Sequence, residues 1–555
     1  IPSVSLLISA PQDHSGGRFW DDEEATPVTL QNYYRDQNVY HSDIIILKGQ
    51  LTFEALGEED QGRSGGGFGA SAAAGGGGAG AIPFEIRHRK CVHQEELVVP
   101  YLNYRNRIVA VLKLSHGANE IRLCDKETGS VFDEFTLNYH PEEVSNQHYV
   151  KILNVISANN SRERNVEESE DEAFAISQKL KLGLSLVQTL FAEKLYENGF
   201  GRRSFRLKDQ TPYFEDFEVS LSTEEILQLS TSDLWEYIAK EIRGRDKVWN
   251  KRCKYVAFVS HPWKIHYEHL HPHSHDDGSS TGKMALGGGG LAVIGTSFLP
   301  VWPDSVEKIL DTIFSEKKLW NAELDNCAAR FGAVDRTEGS LYAASVGSVL
   351  HEMGHIFDLG HTDAGLMGSQ FNRIDTCLSP VLSYPPVCEL FRSKLGSDVC
   401  PMRPKIGLPT NGCLSEDLLS IGISCATLLY FHKWFQPNSS NDSGDSEANI
   451  VLSKNKVVSK HSTLVTLQVR DTEDERLLKS WTFIEKTSRE DSDTVALSPL
   501  KEFTLAKNHI PIPVCEGGDT NKALVVAEDC DGNLLKAVVS RDLLSESFTV
   551  IRRRT

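Results

Sequence analysis

Two histidines four residues apart, His351 and His355, with Glu352 beside the first, constrain this chain more than any other feature. Four residues are close to one helical turn, so the two imidazoles share a face, and can share one metal ion, only if the segment is helical. The flanking residues agree: over 340–359, Leu341, Val346, Val349, Leu350 and Met353 recur at helical spacing and make an apolar side. Glu352 then projects beside the ion, where a carboxylate suits a general base toward water activated by the metal. A catalytic zinc needs a third protein ligand, and His361 supplies it if the helix breaks after Asp358. Six more residues of continuous helix, at ~1.5 Å each, would carry the ring about 9 Å past His355. Gly360 lies in the required turn, and Asp358 tolerates the left-handed conformation better than most non-glycine residues. The expectation is one zinc ion on His351, His355 and His361, with Glu352 as the catalytic base.

After His361, the run Ala364-Gly365-Leu366-Met367-Gly368 forms a tight turn carrying one of only four methionines, a soft thioether that packs under imidazoles without competing strongly for zinc. The stretch from His351 to Met367 resembles the zinc signature of the metzincin clan, HExxHxxGxxH followed by a Met-turn, with Asp358 where glycine is usual. His361-Thr362-Asp363 followed by Leu366-Met367 is similar to the matrix metalloproteinases in particular. With Leu182-Gly183-Leu184, Val187-Gln188-Thr189, Ala285-Leu286-Gly287-Gly288-Gly289-Gly290-Leu291-Ala292 and Phe357-Asp358-Leu359-Gly360-His361-Thr362, the chain resembles a eukaryotic zinc metallopeptidase family over about 179–435. The resemblance implies a zinc peptidase fold. It also implies that the strand before the active-site helix forms the upper edge of the cleft and pairs with an extended substrate, a place taken here by 287–294. Its glycines either let a peptide backbone approach or mark a surface loop.

The rest of the chain suggests an α/β (α+β) metzincin-like zinc peptidase domain, 166–435, flanked by two β-rich, sandwich-like domains, 1–157 and 449–555. Short or alternating apolar runs at 43–47, 96–99, 108–114 and 132–139 read as strands of the first, interrupted by a Gly/Ala loop at 65–81 that cannot offset its ordering entropy. Helical spacing recurs over 173–198, 222–243, 305–319 and 415–435, with a strand at 255–260. A polar linker at 436–447 precedes strand-like segments at 463–469, 523–527 and 548–551.

A net charge of −19 argues against nucleic acid or an anionic membrane surface as partner, and no apolar run approaches the roughly 20 residues of a membrane span. The partner expected is a peptide or protein substrate. Eleven cysteines without a CxxC pair fit reduced thiols and a cytoplasmic setting, although residue 1 is not Met and a trimmed leader is compatible with that. The denser set Cys377, Cys388, Cys400, Cys413 and Cys425 would allow local disulfides in an exported protein. The six histidines between His261 and His275 read as a polar loop rather than a second metal site. Tyr384 is a candidate oxyanion donor whose alternative is a packed loop tyrosine. The function these readings support is a zinc metalloendopeptidase. Its rivals are a catalytically silent zinc-containing binding module and a peptidase delivered by carbohydrate-binding β-domains.

Overall fold

The computed structural model describes residues 28–32, 38–39, 42–53, 84–90, 95–104, 107–141, 146–159, 170–208, 214–245, 252–259, 285–379, 418–437, 449–485, 496–510 and 521–543. The loop at 65–81, the histidines from His261 to His275, Tyr384, Cys388, Cys400, Cys413, the strand expected at 548–551 and most of the 436–447 linker lie outside these residues. The described residues form two compact units, one drawn from positions up to 39 and 45–140, the other from 40–44 and 141 onward.

In the first unit, alternation of apolar and polar residues builds two sheets, as the strand-like runs predict. One is four-stranded, in the order Val28–Asn32, Ile44–Phe53, Arg107–Lys113, Tyr101–Tyr104. The other is five-stranded, in the order Asn38–Val39, Val131–Tyr139, Gly117–Asp125, Phe84–Lys90, Glu95–Val99. Ile45, Leu47, Ile108 and Leu112 from one sheet and Ile86, Ile121, Phe135 and Leu137 from the other share a single apolar core.

The second unit is organised by a five-stranded sheet in the order Glu215–Glu218, Tyr149–Ile156, Cys253–Val259, Leu291–Gly295, Ala285–Gly288. The first four strands are parallel and the last is an antiparallel edge. Residues 149–156, assigned from sequence to the first β-region, instead lie inside this sheet. Their nearly continuous burial, with every residue from 152 to 156 buried, is what a strand covered on both faces requires. On one face Leu153, Val155, Tyr255, Ala257 and Val293 pack with Ile238 and Ile242 of the helix Thr231–Arg245.

Three helices depart from the sequence expectation for identifiable reasons. The stretch 222–243 splits into Thr223–Gln228 and Thr231–Arg245, because the Ser230 hydroxyl accepts from the Asp233 N–H and starts a second helix. The 305–319 stretch has only a short 3-10 turn and Ile309–Ile313. Beyond it, 317–319 runs extended, with Leu319 N–H donating to the Arg336 carbonyl and Glu338 N–H to the Lys317 carbonyl. Within the described part of the 415–435 stretch the helix is Ile423–Phe431, and the Ser420 carbonyl before it is committed to the Leu366 N–H at 2.9 Å. The strand expected over 287–294 is a hairpin: Gly289 and Gly290, at φ 54° and 94°, turn the chain between Ala285–Gly288 and Leu291–Gly295.

Also in the second unit, an antiparallel sheet runs Leu477–Thr482, Leu464–Arg470, Lys522–Asp529, Leu534–Ser540. Alternation gives it two dissimilar faces. Leu467, Val469, Val525 and Ala527 enter an apolar core, whereas Thr466, Gln468, Arg470 and Glu528 are polar yet fully buried. The strand Leu464–Arg470 packs against the helix Ile423–Phe431.

Candidate metal centre

The histidines start on the helix Glu338–Ile356, whose first turn is capped by the Thr337 hydroxyl accepting from the Ser340 N–H at 3.1 Å. Fifteen of its nineteen residues are buried, so the helix is held as a core element. It ends at Phe357, and Asp358 follows in the left-handed conformation at φ 66°, the turn residue the His355–His361 spacing demands. The Leu359 N–H reaches back to the Gly354 carbonyl at 3.0 Å, and the chain reverses.

That reversal brings His361 to the helix pair. One ring nitrogen from each of His351, His355 and His361 lies within 4.8 Å of the others, a grouping that could hold a metal ion. His355 Nε2 is 3.1 Å from both His351 Nε2 and His361 Nε2. The Nδ1 atoms point outward to backbone carbonyls: His351 to Leu366 at 2.8 Å, His355 to Leu359 at 2.9 Å and His361 to Asp474 at 2.5 Å. A carbonyl oxygen only accepts, so each Nδ1 carries the ring proton and each Nε2 presents a lone pair. Three lone pairs that face one another have no hydrogen to share, and a cation among them resolves the conflict. Nitrogens ~2.0–2.1 Å from a tetrahedral zinc lie roughly 3.3 Å apart, close to the spacing observed. Burial, reinforced by His351 and His361, pushes His355 down to about 3, so its ring is neutral, the form that ligates. The donor set therefore fits zinc.

Glu352 sits between helix and edge strand. Its Oε2 accepts from the Gly287 N–H at 2.5 Å. A Cβ on Gly287 would stand 2.2 Å from the Glu352 carbonyl oxygen, so glycine is what lets the strand lie flush on the helix here. The glycine-rich run thus serves the approach of the helix backbone at Gly287. Met367 is buried, and its sulfur packs on Gly354, between the two helical histidines in sequence. The Thr362 N–H donates to the Met367 carbonyl at 2.8 Å, closing the turn whose Leu366 carbonyl orients His351.

Asp358 does more than adopt a left-handed backbone. Its carboxylate lies 3.0 Å from Lys536 Nζ, 3.4 Å from His432 Nε2 and 3.6 Å from Lys254 Nζ. Burial alone would raise this carboxyl, but Lys254, the His432 hydrogen bond and Lys536 outweigh it and hold the group far below the usual carboxylate range. Lys254 also donates to the Ile356 carbonyl, satisfying the end of the helix Glu338–Ile356. A glycine here would supply the turn and lose this ion cluster.

Of the four residues expected from sequence, His351, His355 and His361 are thus brought together, and Glu352, next to His351 on the helix, holds its carboxylate against the Gly287 N–H. Asp474 and Arg470 escaped sequence reasoning, and Gly287 was singled out there for backbone approach but not as a contact of Glu352. Asp474 acts through a backbone carbonyl that every residue type carries, and Arg470 reads as one more polar position on an alternating strand. Cys377 and Cys425, the described members of the cysteine-dense set, are both buried. Among the described residues, no helix is long and apolar enough to cross a membrane.

Comparison with known proteins agrees with this chemistry. Over 201 residues the chain is 28% identical to a Schizosaccharomyces pombe protein named "Putative zinc metalloproteinase", covering 34% of this chain and 32% of that one. Over 215 residues it is 25% identical to a Saccharomyces cerevisiae protein of the same description, covering 34% and 30%. The chain thus spans about a third of the length of the curated relatives it matches. The crystal structure of OgpA from Akkermansia muciniphila aligns with 73% of this chain and 98% of its own, at 13% identity and a TM-score of 0.35. A family model described as "Putative peptidase family" matches residues 83–381, more than half of the sequence, and the chain belongs to that family.

Proposed function

We propose that this chain is a zinc-dependent endopeptidase in which His351, His355 and His361 hold one zinc ion and Glu352 is the general base. The observation that carries the reading is the convergence of three histidine rings, each with a carbonyl behind its Nδ1. Zinc held this way supplies Lewis acidity, polarising a carbonyl and making water acidic enough to deprotonate near neutral pH.

The protein's own groups do the rest. The Gly287 N–H fixes the Glu352 carboxylate through Oε2. The carboxylate takes a proton from the attacking water and returns it to the departing amine. The strand Ala285–Gly288 ends its sheet, and an extended peptide adding to that edge has its backbone beside the helix that carries Glu352. The substrate class is therefore a peptide or protein segment able to adopt an extended conformation.

The test compares the wild type and Glu352→Gln on a mixed peptide library, with and without a chelator. Expected are chelator-sensitive cleavage by the wild type, and a variant that retains its zinc but not its activity. Undiminished cleavage by Glu352→Gln would falsify the role of the base.

A further inference from the structure

The carbonyls behind His355 and His351 belong to Leu359 and Leu366, within 15 residues of the rings they orient. The carbonyl behind His361 belongs to Asp474, 113 residues away in sequence. It lies in the hairpin loop 470–477, between the strands Leu464–Arg470 and Leu477–Thr482. This loop grips the His361 turn at three further points. The Leu477 N–H donates to the His361 carbonyl at 2.7 Å. Arg470 Nη2 donates to the carbonyl of the left-handed Asp358 at 2.6 Å. A Cβ on Gly360 would stand 2.3 Å from the Glu475 carbonyl oxygen and 2.7 Å from the Arg470 side chain, so the two segments close only over glycine.

The loop is itself well braced. The Asp471 N–H donates to the Arg476 carbonyl at 2.8 Å, and the Asp471 and Asp474 carboxylates accept from the N–H groups of Glu473 and Arg476. Arg470, with no exposed side-chain surface, joins Gln468 Oε1 and Glu475 Oε2, each at 2.9 Å, to the Asp358 carbonyl.

We propose that the 470–477 loop is part of the metal centre: the Asp474 carbonyl fixes the orientation and tautomer of His361, and Arg470 is the positioning residue that clamps loop to turn. This rests on the zinc reading above. A backbone acceptor behind a ligating imidazole keeps its proton on the outer nitrogen and raises the basicity of the inner one. Without that acceptor the ring can rotate or move its proton to Nε2, and the third lone pair is lost. The third ligand is thus oriented only when the C-terminal sheet is in place. The match to the family model, over 83–381, does not include this loop.

The experiment measures Zn2+ affinity of the full chain by chelator competition, and the visible spectrum of the Co2+-loaded protein, for wild type, Arg470→Gln, Arg470→Lys, Asp474→Ala and His361→Ala. Circular dichroism and thermal melting monitor the fold. Loss of an outer partner typically costs about 10–100-fold in metal affinity, and that range is expected for Arg470→Gln. Asp474→Ala, at an exposed position, keeps the carbonyl but removes the carboxylate that braces the loop at the Arg476 N–H, and should weaken binding in the same direction by less. Arg470→Lys should recover part of the loss, and the Co2+ bands of Arg470→Gln should move toward those of His361→Ala. Folded Arg470→Gln and Asp474→Ala proteins with wild-type affinity and spectrum overturn the proposal and leave the zinc reading standing. A folded wild type that takes up no zinc overturns both. If Arg470→Gln fails to fold, the folded Arg470→Lys protein decides, with weakened binding and moved Co2+ bands in support and wild-type affinity and spectrum against.

Discussion

The helical and the turn-borne parts of the proposed metal centre are built in different ways. His351 and His355 ride on a buried helix, and their outer partners follow within the same stretch of chain. His361 sits on a left-handed turn whose shape depends on Lys254 from the central sheet, His432 past a later helix, and Arg470, Asp474 and Lys536 from the C-terminal sheet. A helix places two ligands at fixed spacing through its own hydrogen bonds. A ligand beyond its end must be positioned by contacts that only the tertiary fold supplies. The first half of the site should therefore be robust to changes elsewhere in the molecule, and the second half dependent on them.

The largest effects should come from the ligands themselves. His351→Ala, His355→Ala and His361→Ala are each expected to weaken zinc by more than the ~100-fold upper range for an outer partner, measured by chelator competition. Wild-type affinity in His361→Ala would break the comparison, because the turn would then carry no ligand. Next comes Gly287→Ala, which sets a methyl against the Glu352 carbonyl and displaces the base. A misplacement of about 1 Å can cost ~10²-fold, so kcat/KM should fall by that order with zinc content unchanged. Unaltered kinetics would show that the Gly287 contact does not position Glu352. Smaller still, Gly354→Ala pushes against the Met367 sulfur, and overpacking of this kind costs about 1–3 kcal/mol. A lowered thermal midpoint with zinc still bound is the expected outcome.

The smallest effect concerns pH. Burial outweighs the Asp358 hydrogen bond and holds the His432 imidazole below its ordinary 6.5. The unfolded chain therefore takes up that proton first, and stability falls as pH drops through 6.5. Asp358, held far below its ordinary 3.8, contributes stability that is complete above 3.8 and is lost only as pH falls below it. Thermal midpoints should decline in two steps on acidification. Asp358→Asn should lower the midpoint at pH 7 and erase the lower step. A midpoint unchanged at pH 7 would mean that the ion cluster does not brace the turn.

How far the sequence disclosed this centre follows the same division. The helical pair was legible because HExxH and the apolar spacing of Leu341, Val349 and Met353 both require a helix. The return of His361 was legible from its distance along the chain, and Asp358 adopts the φ which that return needs. What holds the turn was not legible, since a carbonyl at Asp474 has no side-chain signature and a contact across 113 residues leaves no periodicity. The truncation of the 305–319 helix has a similar origin, because the bonds of 317–319 to Arg336 and Glu338 override local helical propensity. The strand 149–156 fell inside the range read as the first β-region, because a short apolar run does not show which sheet it will join.

X-ray absorption at the zinc edge of the loaded full-length chain tests the central claim most directly. The account predicts four nitrogen or oxygen ligands at ~2.0–2.1 Å, three of them imidazoles. Two imidazoles only, or a sulfur shell near ~2.3 Å, would contradict it.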